Sequence, residues 1–195
     1  MALDAATGGS PSWLQFAAPP PASAQAEAIL AATREKLGYV RHQQTVLAHK
    51  PAVLAAVTAL GDAIVRDLDG ALTARERELI ALVVSVHNRC EACVFGHAAA
   101  LRGYSGDAEW VATIEVNYRR ATLTPRERAL ADYALQVTRA PAEIEATDLQ
   151  PLRDAGISEQ GILEAASVAA YFNFSNRLNS SLGIRANVEA YRANR

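Results

Sequence analysis

The sequence predicts an all-α fold, a compact helical bundle made from a duplicated helical unit. Half of the 195 residues are hydrophobic but only 6% are aromatic, and the long apolar stretches lack the alternation of strands. Two segments, "LTARERELIALVVSVHN" at 72–88 and "LTPRERALADYALQVTR" at 123–139, open on the same L-T-x-R-E-R motif. In each, T-x-x-E forms a capping box, Thr73 with Glu76 and Thr124 with Glu127, whose hydroxyl and carboxylate satisfy orphan backbone amides. Shared starts of this kind point to an internal repeat. The copies differ where chemistry is concerned, since Glu78 corresponds to Ala129 and Cys90 to Pro141.

Residues 1–24 contain Gly8, Gly9, Pro11, Pro19, Pro20 and Pro21 and read as an irregular arm. Trp13, Leu14 and Phe16 would pin this arm to its own body or to a partner subunit. Residues 25–195 then form one all-helical domain. A first helix runs from Ala24 to a stop at Gly38, and a second from Pro51 to about Leu68, with Ala52, Leu54, Val57, Leu60, Ile64, Val65 and Leu68 on one broad apolar face. After the first capped helix, a short helix is expected over Ala108–Tyr118. The last long one runs over Glu159–Leu178, capped by Ser158.

Nineteen basic and twenty-one acidic side chains give a net charge of −2 and are mixed along the chain, so no nucleic-acid or anionic-membrane partner is expected. The apolar run "LIALVVSV" at 79–86 is too short to span a bilayer. The N-terminus lacks the basic and apolar regions of a secretory signal, so a cytoplasmic location is expected. In such a reducing compartment a lone cysteine pair is more often catalytic or metal-binding than structural.

That pair lies in "HNRCEACVFGH", residues 87–97, and the chain has no other cysteine. Asn88 is expected to cap a new helix, with Glu91 closing an N-x-x-E box and Cys90 in the first turn, where the helix's positive end favours a thiolate. At about 100° per residue, Cys90, Cys93 and His97 share one sector of that helix. The thiols can close a disulfide, and the imidazole can exchange a proton with Cys93. Glu78, in the preceding helix, would face His97 if the bend at 87–89 folds the two helices together; otherwise it is a surface residue paired with Arg75 or Arg77. A zinc site would draw a further ligand from Glu78 or His87, but the spacing of structural zinc sites is missing. His42 and His49 read as surface or packing residues, and His87 as a helix-end group or a participant in proton traffic.

The run "ERELIALVVSVHNRCEACVFGH", with its glutamate twelve residues before the first cysteine and then C-x-x-C-x-x-x-H, resembles the carboxymuconolactone decarboxylase and alkyl hydroperoxidase D superfamily. It is most similar to the peroxidase-related branch, and the similarity extends over residues 40–185. The resemblance implies an alkyl hydroperoxidase D-like helical bundle that assembles as a dimer, trimer or hexamer. It implies a thiol peroxidase that needs no cofactor, reduces organic hydroperoxides and is re-reduced by an external dithiol or dihydrolipoyl-type protein. Cys93 then matches the attacking thiol, Cys90 the more exposed resolving thiol that meets the reductant, and His97 and Glu78 the proton relay. The chain departs from alkyl hydroperoxidase D at Ala92, where that enzyme carries a second histidine. Helix-end electrostatics favours Cys90 as the more acidic thiol, against the order the resemblance implies. Val86, Val94, Phe95 and Phe172 would suit a peroxide's organic tail, although they are first of all core formers. Two other readings use the same residues: a general dithiol-disulfide oxidoreductase or redox sensor, and a non-enzymatic assembly or metal-stapled protein.

Overall fold

Capping chemistry sets the helix boundaries. In the computed structural model, which describes residues 10–66 and 69–195, Ser23 accepts from the Ala26 amide to start α1 (Ala24–Leu37), and Gly38 ends it in the left-handed conformation at φ 79°. A short α2 (His42–Leu47) follows, then α3 (Pro51–Val65), with Pro51 in its first turn. Both predicted capping boxes form, at the starts of α4 (Ala74–His87) and α7 (Pro125–Arg139). Between them lie α5 (Glu91–Ser105) and α6 (Ala108–Asn117). After a short α8 (Gln150–Asp154), Ser158 accepts from Gly161 to cap α9 (Glu159–Ser181), and α10 (Val188–Arg192) closes the chain. Among the described residues there is no strand, so the fold is all-α.

Helix α4 is the axis of the bundle. Residues 79–85 are buried on every face, as expected of a helix surrounded by others. Ile80, Ala81 and Val84 meet Leu130, Tyr133 and Ala134 of α7 and Ala165, Val168, Ala169 and Phe172 of α9. On the other side Leu79, Leu82 and Val83 meet Ala98 and Leu101 of α5, Val111 and Ile114 of α6, and Ala131 and Leu135 of α7. Each large aliphatic side chain buried this way contributes about 1.5–3 kcal/mol. A third cluster joins α1 to α3 through Ala26, Leu54 and Val57.

The repeated motif is tied to itself. Arg75 Nε donates to Glu127 Oε1 at 3.0 Å, and its counterpart in the other copy, Arg126, donates to Glu76 Oε1 at 2.6 Å. Each capping glutamate therefore serves its own helix start and the arginine of the other. Burial alone would raise the Glu76 pKa, but the hydrogen bonds from Arg126 and Thr73 outweigh it and hold it below the usual value.

Some expectations shift. Helix α3 stops at Val65; Leu60 is 48% exposed because only the Leu54–Val57 side meets α1. Leu68 and residues 1–9, including Gly8 and Gly9, lie outside the described residues. The rest of the arm docks on its own body by backbone bonds, Trp13 N–H to Leu182 O and Arg185 N–H to Pro11 O, both 3.0 Å. Phe16 stacks on His49 with ring centres 3.5 Å apart. Gly183 (φ 60°) is required beneath Trp13, whose ring a Cβ would overlap. Among the described residues no helix is long and apolar enough to cross a membrane.

Candidate active site

The chain reverses between α4 and α5 over three residues. Asn88 ends α4, Arg89 takes the left-handed conformation at φ 54°, and the Cys90 amide donates to Ser85 O at 3.0 Å. Asn88 is thus the C-cap of the old helix, not the N-cap of the new one. Its side-chain amide is occupied elsewhere, donating to Asn173 Oδ1 and Asn176 Oδ1, both at 3.0 Å. Cys90 itself is the N-cap of α5, with its carbonyl accepting from the Cys93 and Val94 amides. Asn176 also donates to Ser85 Oγ at 3.1 Å, and Asn173 to Thr138 Oγ1 at 3.0 Å. This polar ladder fastens α9 to the reversal and to α7, and so fixes the turn that carries the thiols.

Both cysteines are free thiols, and Cys90 Sγ donates to Cys93 Sγ, 2.6 Å away. The Asn179 amide also donates to Cys93 Sγ, at 3.2 Å. The thiol hydrogen bond with Cys93 lowers the Cys90 pKa to about 6 against the opposing effect of burial, with further help from Ser180 and Asn179. The same hydrogen bond, burial and the adjoining Cys90 charge push Cys93 up. These describe one dithiol that loses its first proton easily and its second with difficulty. The expectation that Cys90 would be the more exposed thiol is not met: Cys90 is 2% and Cys93 4% exposed.

A cavity of about 660 Å³ opens on Cys93 and is also lined by Glu78, His97, Phe172, Asn179 and Arg41; Cys90 is not among its lining residues. Across it, His97 Nδ1 lies 2.7 Å from Glu78 Oε2. Glu78 is therefore the partner of His97, while Arg75 pairs with Glu127 and Arg77 with Glu164. The Phe172 ring meets the imidazole edge-on, with centres 4.3 Å apart. The reversal thus brings Glu78 to His97, Cys90 and Cys93 are paired at the start of α5, and Cys93 shares the cavity with the Glu78–His97 pair.

Of the four apolar residues considered for an organic tail, Phe172 lines the cavity. Val86 and Val94 pack on the α4–α6 core, and Phe95 rests against Tyr191. His42 lines the cavity and its Nδ1 meets Arg185 O at 3.1 Å, whereas His87 is exposed at the end of α4. Among the described residues no three His, Cys, Asp or Glu side chains are grouped to hold a metal ion. Arg41 carries no signal in the sequence, whereas Asn173, Asn176 and Asn179 stand at three-residue spacing on an otherwise alanine-rich helix, a pattern of polar groups suited to sealing a pocket or capping chain ends, and Asn179 does line the cavity.

Residues 51–135 match the carboxymuconolactone decarboxylase family. A peroxidase-related protein from Silicibacter sp. TM1040, itself uncharacterized, is 34% identical in structural alignment with a TM-score of 0.88, covering 96% of this chain and 97% of that one. An uncharacterized peroxidase-related protein from Ralstonia eutropha JMP134, with an alkylhydroperoxidase AhpD core, is 33% identical at a TM-score of 0.86, covering 91% and 95%. The chain belongs to the carboxymuconolactone decarboxylase and alkyl hydroperoxidase D-like superfamily. The fold extends further: a cysteine-to-alanine variant of the debrominase Bmp8, in complex with 2,3,4-tribromopyrrole, aligns at 18% identity and a TM-score of 0.76, covering 92% and 95%. No curated protein matches the sequence. Ala92, Cys93, His97 and His42 all line the cavity.

Proposed function

We propose that this protein is a thiol-dependent peroxidase that reduces organic hydroperoxides through Cys93 and Cys90. The observation that carries this reading is the position of Cys93: it lines a cavity it shares with the Glu78–His97 pair, while Cys90 stands 2.6 Å behind it. Chain membership in a superfamily with peroxidase-related members supports it.

A dithiol that has lost one proton can place its charge on either sulfur. Transfer of the remaining proton to Cys90 leaves the thiolate on Cys93, where the Asn179 N–H stabilises it. That thiolate attacks the terminal oxygen of ROOH. An S–O bond forms as the O–O bond breaks, sulfur is oxidised to the sulfenic acid, and the alkoxide takes a proton relayed through His97 to leave as ROH. Cys90 then attacks Cys93 Sγ; an S–S bond forms, the S–O bond breaks, and water departs. An external dithiol reduces the disulfide by exchange and is itself oxidised.

Burial of both sulfurs disfavours a bulky protein disulfide as substrate. A small dithiol, or a dihydrolipoyl group on its slender arm, suits entry through the cavity. We place the protein in the cytoplasm, as a homo-oligomer.

The test is stopped-flow mixing of the reduced protein with cumene hydroperoxide, following thiol loss in the native chain, C90S and C93S. Two thiols should disappear in the native chain, a sulfenic acid should be trappable in C90S, and C93S should show no fast reaction. Slow, equal oxidation of all three would refute the reading.

A further inference from the structure

Arg41 stands on the same cavity as Cys93, and the Glu78 carboxylate acts on it without forming an ion pair. It lies in the loop before α2, is part-buried, and among the described residues no carboxylate pairs with its guanidinium. Among the described residues the cavity wall carries Lys36, Arg66 and Arg185 besides Arg41, against one carboxylate, that of Glu78. Glu78 is committed to His97, and Arg66 is paired with Asp62. Burial pulls the Arg41 pKa below its ordinary value, and the charge of Arg66 adds to this, opposed by Tyr39, Glu78 and Tyr171. A guanidinium in this position is costly unless an anion meets it, and its planar fork suits a carboxylate.

The surroundings fix what else that anion must be. Arg41, Gly61, Arg66 and Tyr171 also line an adjoining cavity of about 580 Å³ whose lining mixes Ile29, Leu47 and Val57 with Thr33, Gln44 and the Asp62 that pairs with Arg66. Arg41 therefore lines both cavities: the one that holds the thiol and imidazole, and a partly apolar one beside it. A ligand that fills both has a reacting end, an apolar body and a negative charge.

We infer that the hydroperoxide reduced here is itself an organic acid, whose carboxylate is bound by Arg41 while its O–O bond is presented to Cys93. This inference rests on the peroxidase reading and names the substrate class of that site. Arg41 is a binding residue, distinct from the groups that move protons. Its backbone carbonyl, which accepts from the Thr45 amide at the start of α2, is untouched by side-chain replacement.

The probes are para-carboxycumene hydroperoxide and its methyl ester, which share the reacting group and differ in charge. In stopped flow, following only the oxidation of the reduced protein by peroxide, the acid should react faster than the ester by about ten- to a hundred-fold, the worth of one charge-assisted bidentate contact. The acid-to-ester ratio should fall to about one in R41Q and recover in part in R41K. Equal rates for acid and ester in the native chain, or an unchanged ratio in R41Q, would overturn the inference while leaving the peroxidase standing. If neither peroxide oxidises the thiols, the peroxidase reading fails, and calorimetry with the unreactive alcohol of the same acid decides the remaining question. Binding that R41Q abolishes would preserve the carboxylate site; no binding to the native chain would remove it. An Arg41 effect confined to the reducing half-reaction would also overturn the proposal, since the anion would then belong to the dithiol.

Discussion

Glu78 Oε2 and His97 Nδ1 lie 2.7 Å apart, joined across a helix reversal from positions 19 residues apart. The carboxylate occupies one ring nitrogen, which fixes the ring's orientation and leaves Nε2 for the cavity. Glu78→Gln keeps a hydrogen bond but removes the charge. Single-turnover oxidation by cumene hydroperoxide should slow by about a hundred-fold or more in H97N, and in the same direction in E78Q. A native rate in both variants would take the pair out of the proton path.

The dithiol makes a second prediction, on pH. Iodoacetamide alkylation of the reduced protein should switch on at about pH 6, where Cys90 titrates in the folded chain, instead of near the ordinary thiol value. Folding stability follows the same protons. A lowered folded pKa contributes nothing below pH 6, and its contribution grows as the pH climbs toward the unfolded thiol value. The slope over this interval is at most about 1.4 kcal/mol per pH unit. Above the unfolded value the trend reverses, because Cys93 retains a proton that the unfolded chain has lost. Urea unfolding of native protein and C90S from pH 5 to 10 checks this; a flat difference between them would disprove the hydrogen bond between the thiols.

Asn179 is predicted to tune the attacking sulfur. Its side-chain Nδ2 is 3.2 Å from Cys93 Sγ, and its buried Oδ1 has no hydrogen-bond partner among the described residues. Asn179→Leu should raise the pH at which the dithiol first ionises and reduce the peroxide rate constant by about ten-fold, the loss of one hydrogen bond to an anion. Asn179→Asp, with a negative charge facing the thiolate, should be slower still. A rate loss in N179L with no change in the thiol titration would mean that the residue serves packing alone.

Signals that act within a few residues are mostly legible in the sequence, and those that depend on a distant helix mostly are not. Thr73, Thr124, Ser158 and Gly38 act within a few residues of themselves, so their capping roles followed from spacing. The pairing of Cys90 with Cys93 needed only one helix. Glu78 needed one reversal, and the break at residues 87–89 announced it. Asn88 was misread because the same residue type can end one helix or start the next, and the choice was made by Asn173 and Asn176 on α9. Arg41 carried no local signature, since its significance comes from the cavity that α3, α4, α5 and α9 build around it.

The reciprocal arginines yield the last prediction, on stability. Glu76 receives its own Thr73 amide and hydroxyl at 2.8 and 3.1 Å together with Arg126 Nε at 2.6 Å, in a site where it is only 9% exposed. Removing it leaves the helix start and a held arginine without their acceptor; Arg126 stays fixed by the Gly156 carbonyl at 2.8 Å. Glu76→Ala should therefore cost about 2–3 kcal/mol, combining a lost cap with a lost charge-assisted bond. Arg126→Ala should cost less, and the double mutant should reveal a coupling of about 1 kcal/mol in urea denaturation. Glu127→Ala, at the matching position in the other copy with Arg75, should behave the same way. Arg153 and Glu159 provide the contrast: their 2.7 Å contact lies in solvent, and E159A should leave the midpoint unchanged. If E76A and E159A were equally harmless, the joined capping boxes would not be a stabilising element of this fold.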